Sequence, residues 1–481
     1  MKSILLTSIP RYDLVAPPAA IGILQGVAKD NGLATEVFDF NLFLKQHLTD
    51  DEWQALDDWC IFITHDVDSK LKDKILNLWD QEIQKRLPEG CEFLLISVFS
   101  YWSLYVARLI ITHEGKKIRP YKLIVGGNGV SSKFPDTDIY FKDWNKKHGY
   151  IEHLILGEGE RPLAEILSNG RVLYNDQNID SFPFPSYAGY NFNEYEEKKV
   201  YLTGSRGCVR KCTFCDIENI WPKFRYRSAE SIVDEIRKHF ELHGITRFDF
   251  TDSLINGSVS NFYRFNQLLA EAKSKDNSLK DIKYIGQAIC RPRHQMPEAH
   301  YEAMFYAGCQ QLTIGIESFS NQVRSHMKKK FSDSDIEYHL EQCKYWNIPN
   351  IFLMITGYPT ETIDDHNKNL KDLEKYKDYA KMGIIEMIRW GTTMHLIPDT
   401  PITNPKYVAE LGLEGRHHQP INQDPSSQYY WHSTANPTLT LQERLRRRIE
   451  LHEHSVRLGY PQPRVQNELT SVLGMAKLLK S

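Results

Sequence analysis

Gly204-Ser-Arg-Gly-Cys-Val-Arg-Lys-Cys-Thr-Phe-Cys-Asp216 carries three cysteines, Cys208, Cys212 and Cys215, within eight residues. The spacing is C-x3-C-x2-C, and Phe214 directly precedes the last cysteine. Three thiolates on one short loop can hold three irons of a four-iron cluster. A cluster of this size normally takes four protein thiolates. Three leave one iron open, and an open position marks a catalytic rather than a structural metal site. Structural zinc is the rival reading, but it needs four closed ligands. The next histidine is His239 and the next cysteine Cys290, so no fourth ligand lies nearby. Thiols this close together do not pair with one another without strain.

The run Tyr201–Thr203 reads as a strand, which puts the cysteine loop at a strand's C-terminal end. Downstream, strands and helices alternate. The strands are Arg247–Thr251, Tyr284–Ile289, Gln311–Ile316, Ile351–Ile355 and Ile384–Arg389, with Thr393–Ile397 as a further candidate. The helices are Ser231–His243, Val259–Ser274, Pro297–Ala307 (stopped by Gly308), Asp333–Trp346 and Thr362–Tyr376. About six such βα units predict a parallel barrel or open barrel, whose chemistry lies at the C-terminal rim. That rim carries the cysteine loop, Asp252, Cys290-Arg291, Gly315-Ile-Glu-Ser318 and Gly357-Tyr-Pro-Thr-Glu361.

Upstream, Lys2–Ser8, Glu36–Phe40, Phe93–Phe99, Lys122–Val125 and His153–Leu156 read as strands, with helices at Ala20–Asn31, Tyr105–His113 and Pro162–Ser168. This pattern predicts a doubly wound α/β domain, in which ligands bind beyond the carboxyl ends of the strands. Those ends carry Ser97-Val-Phe-Ser100, Gly126-Gly-Asn-Gly129 and Gly157-Glu-Gly-Glu160. No Gly-x-Gly-x-x-Gly follows the first strand, which argues against a nicotinamide site. The proline-rich Asp180-Ser-Phe-Pro-Phe-Pro-Ser-Tyr187 reads as a linker. The expected domains are therefore 1–178, a linker at 179–198, a barrel at 199–404 and a helical C-terminal cap at 405–481.

The chain has 481 residues, 41% hydrophobic and 25% charged, with a net charge of -3. These values fit an ordinary globular enzyme and give no global field for nucleic acid or membrane. No apolar run reaches the roughly 18 residues of a bilayer span. The N-terminus reads as a first strand rather than a signal peptide, since Arg11 and Asp13 follow a short apolar run. The five other cysteines, Cys60, Cys91, Cys290, Cys309 and Cys343, show no pairing pattern, as expected of a reducing, cytoplasmic setting. Arg444, Arg446, Arg447 and Arg448 share a helical stretch with Glu443, Glu450 and Glu453, which reads as a solvated face. His452 and His454 point to different faces and form no metal pair.

The cysteine loop resembles the signature of the radical S-adenosylmethionine (SAM) superfamily. The resemblance extends through Ala307-Gly308, Thr313-Ile-Gly-Ile-Glu-Ser318, His326-Met-Lys-Lys329 and Phe352–Thr362 to the subgroup with an N-terminal cobalamin-binding domain. Val125-Gly-Gly127, Leu156-Gly-Glu-Gly-Glu160 and Phe182-Pro-Phe-Pro185 are similar to that subgroup's front half, so the likeness covers about residues 1–405. It implies a Rossmann-like cobalamin-binding domain, a partial (β/α)6 radical SAM barrel and a helical C-terminal region. It also implies that Cys208, Cys212 and Cys215 ligate a [4Fe-4S] cluster whose open iron chelates the amino and carboxylate groups of SAM. Phe214 would lie near the adenine. Glu317 and Ser318 would touch the ribose or methionine end, and Arg291 would meet the carboxylate. Asp252 falls where relatives carry a Gly-Gly-Glu element for the amine, although this chain reads Thr251-Asp-Ser253. Ser97, Ser100, Tyr101, Trp102, Gly126, Gly127, Gly157, Glu158 and Gly159 would surround cobalamin. Cobalamin mutases carry an Asp-x-His-x-x-Gly element, but the loop Ser8–Ala19 contains no histidine. The implied cobalamin has no protein histidine ligand, and Tyr101-Trp102 approaches its lower face.

The function implied is a cobalamin-dependent methyltransferase that uses a 5′-deoxyadenosyl radical to attack an unactivated carbon. Its implied partners are a small-molecule or peptide substrate and a flavodoxin- or ferredoxin-type electron donor, with no membrane or nucleic acid. Radical rearrangement, cyclisation or methylthiolation are alternative reactions, and a SAM or cobalamin sensor is an alternative of another class. Methylthiolation is the weaker of these, because the front half holds only Cys60 and Cys91 rather than a second cysteine triad. The Trp, Tyr and His residues of Ser426–Ser433 are candidates to line the cavity under a C-terminal cap.

Overall fold

Five short runs near the N-terminus build one parallel sheet: β1 (Ser3–Ser8), β2 (Ala34–Asp39), β3 (Cys91–Ser97), β4 (Lys122–Gly126) and β5 (His153–Leu154). The structure is a computed structural model and describes all residues except 1, 62–66, 88, 135–138, 172, 392, 416–426 and 463–481. The strand order is β2-β1-β3-β4-β5, the flavodoxin-like doubly wound order, whose switch point lies between β1 and β3. Every residue of β1 is buried, as expected where helices cover both faces of a parallel sheet. Alternate residues feed two separate cores. Leu5, Leu94, Ile96, Leu123 and Val125 join the core of one face, while Ile4, Leu6, Phe93, Leu95 and Ile124 join that of the other. The helices Ala19–Asp30 and Glu160–Leu167 close the second face through Ile21, Val27, Leu163 and Ala164.

The other face holds elements that the strand–helix alternation did not reveal. Phe40–His47, Asp50–Ile61 and Ser69–Arg86 are three successive helices between β2 and β3. The last is largely polar, but Leu71, Ile75, Trp79 and Ile83 recur every four residues and all are buried. That spacing makes one apolar stripe on a helix.

The proline-rich stretch lies along the first helix. Ser186 N donates to Gly22 O at 2.8 Å, and Gln25 Nε2 donates to Ala188 O at 2.8 Å. Tyr195 OH donates to the buried Asp39 at 2.7 Å. Gly26 is the point of closest approach, since a Cβ there would lie 2.4 Å from Phe184 O. The described residues up to Tyr201 form one compact unit and those from Leu202 onward a second.

In the second unit the strands follow one another in sequence order across a six-stranded sheet. They are Val200–Leu202, Arg247–Phe250, Lys283–Ala288, Cys309–Glu317, Asn350–Met354 and Ile385–Arg389. The unit boundary falls within the first of them. The pairs from Arg247–Phe250 onward are parallel, and the order is open at both edges among the described residues, as in a partial barrel. Gly244 and Gly308, both left-handed, end the helices Ala229–His243 and Glu298–Ala307. Thr393–Ile397 is not a strand: only an isolated bridge joins Thr393 to Thr356.

Beyond the sheet come a short helix, Pro405–Leu411, and a small antiparallel pair, Leu413–Gly415 with Trp431–Ser433. The helix Leu441–Arg457 comes next; the expected helical sequence past 462 and part of the Ser426–Ser433 stretch lie outside the described residues. The arginine cluster on this helix is not a solvated face. Arg444, Arg447 and Arg448 are buried. Arg444 lies 3.6 Å over the Trp431 ring, Arg447 bonds Glu361 and Glu443, and Arg448 Nε donates to Gly391 O at 2.8 Å. Only Arg446 of the four lies at the surface, bridged to Glu443 and Glu450. Counting charges cannot distinguish a solvated helix face from one whose partners come from distant segments. Among the described residues, no helix is long and apolar enough to cross a membrane.

The Gly26 contact gives a stability test. Alanine ordinarily gains up to about 1 kcal/mol over glycine inside a helix. Here its methyl meets a backbone carbonyl, which cannot swing aside, and overpacking costs about 1–3 kcal/mol. Gly26→Ala is expected to lower the thermal unfolding midpoint, measured by circular dichroism, instead of raising it.

Candidate active site around the cysteine loop

The cysteine loop has almost no regular structure, so other segments hold it. Ser205–Arg206 pairs with Arg225–Tyr226 as a two-residue ladder, and Gly207 then turns left-handed, at φ +82, into Cys208. At the far end Thr213 is fully buried. Its N donates to Met327 O at 3.2 Å, its O accepts from Ile402 N at 2.7 Å, and its hydroxyl bonds Tyr358 OH at 2.8 Å. Cys208 and Cys212 lie between these anchors and Cys215 two residues beyond Thr213; all three are half-buried and free of disulfides. Arg210 N donates to Cys208 Sγ at 3.4 Å. Burial pushes the Cys212 thiol up to about 11, with Lys329 pulling the other way, and burial also raises Cys215. Binding a metal replaces those protons and offsets that cost.

Opposite the loop, the strand Cys309–Glu317 ends on an unusual conformation. Glu317 has a positive φ of 65. The pairing with the next strand shifts register between Gly315 and Glu317. Glu317 Oε1 accepts from Lys329 Nζ at 2.9 Å, with both residues buried. A Cβ on Gly315 would lie 2.5 Å from Glu317 Oε1 and 2.9 Å from Lys329 Nζ, so the glycine leaves room for this pair. Lys328 and Lys330, on either side of Lys329, also have positive φ, 59 and 56. Non-glycine residues in this region cost of order 1 kcal/mol or more each and cluster at functional sites. Burial opposes the charge on Lys329, yet Glu317 and Cys212 outweigh it and hold the ammonium above its ordinary range. Lys329 Nζ lies 5.9 Å from the Phe214 ring centroid. The Phe214 ring itself packs on the cluster of Val323, Met327, Tyr358 and Met394.

The structure thus gathers Cys208, Cys212, Cys215, Phe214, Glu317 and Lys329. All of these but Lys329 are site candidates from sequence; the only signal for Lys329 there is its place in the run His326–Lys329. Other expected residues are engaged elsewhere. The Ser318 hydroxyl is fully buried and donates to Asn369 Oδ1 at 3.3 Å. Arg291 spends NH2 on Asn256 O and Gly257 O, at 2.8 and 3.1 Å, and its buried Nε has no partner among the described residues. It still lies within electrostatic reach of Cys208. Asp252 accepts from Gly204 N at 2.8 Å and Ser205 Oγ at 2.5 Å.

In the first unit, the expected cobalamin residues lie on the C-terminal edge of the sheet. Ser97 ends β3 in register with Ser8 and Gly126. Ser100 caps the short turn Tyr101–Ser103 by accepting from Trp102 N at 3.2 Å. The rings of Tyr101 and Trp102 are 5.4 Å apart. Gly127 is pressed against Val98 O, where a Cβ would approach to 2.4 Å, so packing within the protein already requires this glycine. Gly126 abuts Ile155, Gly159 abuts Leu24, and Gly157 faces open space next to Glu158. Near the β1/β3 switch point, Phe99 is 55% and Trp102 38% exposed. Exposed aromatics on histidine-free loops fit a flat, largely apolar ligand that receives no imidazole.

The donor set around the cysteines suits a cluster better than a single ion. Among the described residues, no three His, Cys, Asp or Glu side chains converge to hold one metal ion. A four-iron cluster asks one thiolate of each iron, so its ligands spread around a body instead of meeting at a point. Buried Lys329 and Arg291 complement anionic thiolates.

This geometry has two measurable consequences. Lys329→Met strands a buried carboxylate, and breaking such a pair typically costs about 3–5 kcal/mol; the loss is expected in urea unfolding of the variant and to be smaller in Glu317→Gln/Lys329→Met. Burial pushes Asp252 up to about 7 against its hydrogen bonds. The folded chain therefore holds this proton more tightly than the unfolded chain, whose carboxyl titrates near 3.9. The stabilisation is full below that value and is lost as pH rises through about 7. Relative to Asp252→Asn, the native chain should lose unfolding free energy between about pH 4.5 and about pH 7.5.

Residues 202–373 match the profile of the radical SAM superfamily. The ribosomal protein uS12 methylthiotransferase RimO of Clostridium botulinum is 27% identical over 301 residues, covering 61% of this chain and 62% of RimO. The chain thus spans about three fifths of the length of that curated relative. Among solved structures, the radical SAM methyltransferase TsrM from Kitasatospora setae, with cobalamin and a [4Fe-4S] cluster bound, superposes with a TM-score of 0.61 at 19% identity over 88% of this chain and 82% of TsrM. The cobalamin-dependent radical enzyme OxsB superposes with a TM-score of 0.65 at 15% identity, over 93% and 66% of the two chains. The unpaired cysteine triplet on an open parallel barrel is thus that of a radical SAM domain at residues 202–373, with the [4Fe-4S] cluster and SAM that such a domain uses, in a chain with the fold of TsrM and OxsB.

Proposed function

We propose that this chain is a cobalamin-dependent radical SAM methyltransferase that acts on an unactivated carbon. The observation that carries the reading is the pairing, in one chain, of the free cysteine triplet with a β2-β1-β3-β4-β5 sheet whose switch-point loops offer exposed aromatics and no histidine. Cys208, Cys212 and Cys215 would each hold one iron and leave the fourth for the amino and carboxylate groups of SAM. Lys329 and Glu317 would place a charge pair beside the loop, Phe214 would wall the adenine side, and Arg291 would add positive charge near Cys208. Tyr101, Trp102 and Phe99 would present an apolar floor to the corrin. When bound, the cluster and SAM supply a carbon-centred radical able to take hydrogen from an unactivated carbon, and cobalamin supplies the methyl group. The protein's share is to position the groups and exclude water.

Methyl transfer is favoured over methylthiolation, the activity in RimO's name, because the first unit's two cysteines, Cys60 and Cys91, are both buried. The substrate class is a small molecule or peptide. The reductant is a flavodoxin- or ferredoxin-type protein, and the setting is the cytoplasm.

Anaerobic reconstitution with iron, sulfide and hydroxocobalamin tests the two halves separately. A protein-bound corrinoid spectrum is expected, and its absence would move the reading to a cobalamin-free radical enzyme. Dithionite and SAM should yield 5′-deoxyadenosine, and Cys212→Ala should reduce that yield to background. An active Cys212→Ala variant would remove the cluster assignment.

A further inference from the structure

The lead-in to the cysteine loop, Thr203–Gly207, is clamped by buried charge. Asp252 is 3% exposed, and both of its carboxylate oxygens are taken by this segment, one by Gly204 N and the other by Ser205 Oγ. Gly204 fits so closely that a Cβ would lie 2.9 Å from Phe250 Cε1 and 3.2 Å from Asp252 Oδ2. From the other side Arg227 N donates to Gly204 O at 2.8 Å. The Arg227 guanidinium donates to Thr203 O at 3.2 Å and pairs with the buried Glu235. Arg225–Tyr226 forms the ladder with Ser205–Arg206. Only Arg206, itself buried, and Gly207 separate Ser205 from Cys208. A shift at Gly204–Ser205 therefore has little slack in which to be absorbed before it reaches the first cysteine.

We infer that Asp252 is a positioning residue, which fixes Cys208 through Gly204 and Ser205 and makes no contact with SAM. This rests on the radical SAM reading of the loop, but it departs from the amine-binding role that the residue's place in the barrel suggests. Each oxygen keeps a free lone pair, but the carboxylate is buried, so a SAM ammonium could reach it only by opening the clamp around it. Leaving buried donors unmade is costly, so the loop's own donors hold the carboxylate. Asparagine can still accept from Gly204 N through Oδ1 and donate from Nδ2 to Ser205 Oγ, whose proton can turn to Leu254 O, whereas alanine makes neither bond.

The test uses the full chain, reconstituted anaerobically with iron and sulfide. Two readouts are compared: the half-life of the visible cluster absorbance under a chelator, and the SAM dissociation constant of the loaded protein by equilibrium dialysis. Asp252→Ala is expected to shorten the half-life about tenfold. Asp252→Asn should restore it to within about threefold of native, and SAM affinity should change by less than about threefold in both. Ser205→Ala should shorten the half-life by less, and combining it with Asp252→Ala should add little, because both remove one shared contact. A native half-life in Asp252→Ala would overturn the inference. So would a loss of SAM affinity of about tenfold or more in Asp252→Asn with the cluster intact, which is the result for a direct SAM contact. If Asp252→Ala does not fold, Asp252→Asn and Ser205→Ala decide between the same outcomes. A native chain that takes up no cluster would overturn the radical SAM reading itself.

Discussion

Three thiols must be held at fixed places on a loop with almost no hydrogen-bonded structure of its own. The rest of the second unit is organised around that constraint. A parallel sheet delivers strand ends to one rim, and the loop is tied to those ends and to the segments that leave them. Asp252 holds its start from the end of one strand. Thr213 holds its far side through Met327, Tyr358 and Ile402, which come from three other segments. Each bond is ordinary in strength; together they replace the regular structure that the loop lacks.

The Glu317–Lys329 pair concentrates the cost of this arrangement. Burying both charges away from water is repaid only by good geometry and by a function that needs them. The local backbone obeys the same logic. Glu317, Lys328 and Lys330 all adopt left-handed conformations without being glycine, and Gly315 makes space for the pair. Strain of this kind persists only where the surroundings over-determine it. In the first unit the sheet's exposed aromatics show the opposite economy: Phe99 and Trp102 leave apolar surface in water, a cost that binding a flat apolar ligand removes.

Much of the site is legible in local sequence because its chemistry is local. C-x3-C-x2-C puts three thiols on one loop whatever surrounds it, and the alternation of apolar runs with helical periods predicts parallel strands. Where the periodicity is weak or the connections unusual, local pattern does not reveal the structure. The three helices between β2 and β3 break the alternation, and the last of them is largely polar. Thr393–Ile397 has strand-like composition but only a single bridge. Arg444, Arg447 and Arg448 read as surface charge because their partners, Trp431, Glu361 and Gly391, are distant in the chain.

The sequence alone therefore determined the triplet of thiols on one loop, the succession of strands along the chain and the lack of a histidine in the first loop. All three depend on residues close together in the chain. Only the tertiary structure decided that Lys329 faces the cysteines, that Ser318 turns to Asn369 and that Asp252 braces the loop. It also decided that Gly127 serves packing against Val98. Each of these joins residues tens of positions apart or selects one of several directions for a side chain. Local pattern does not encode such choices; they are made when the strands assemble and competing partners are brought within hydrogen-bonding distance.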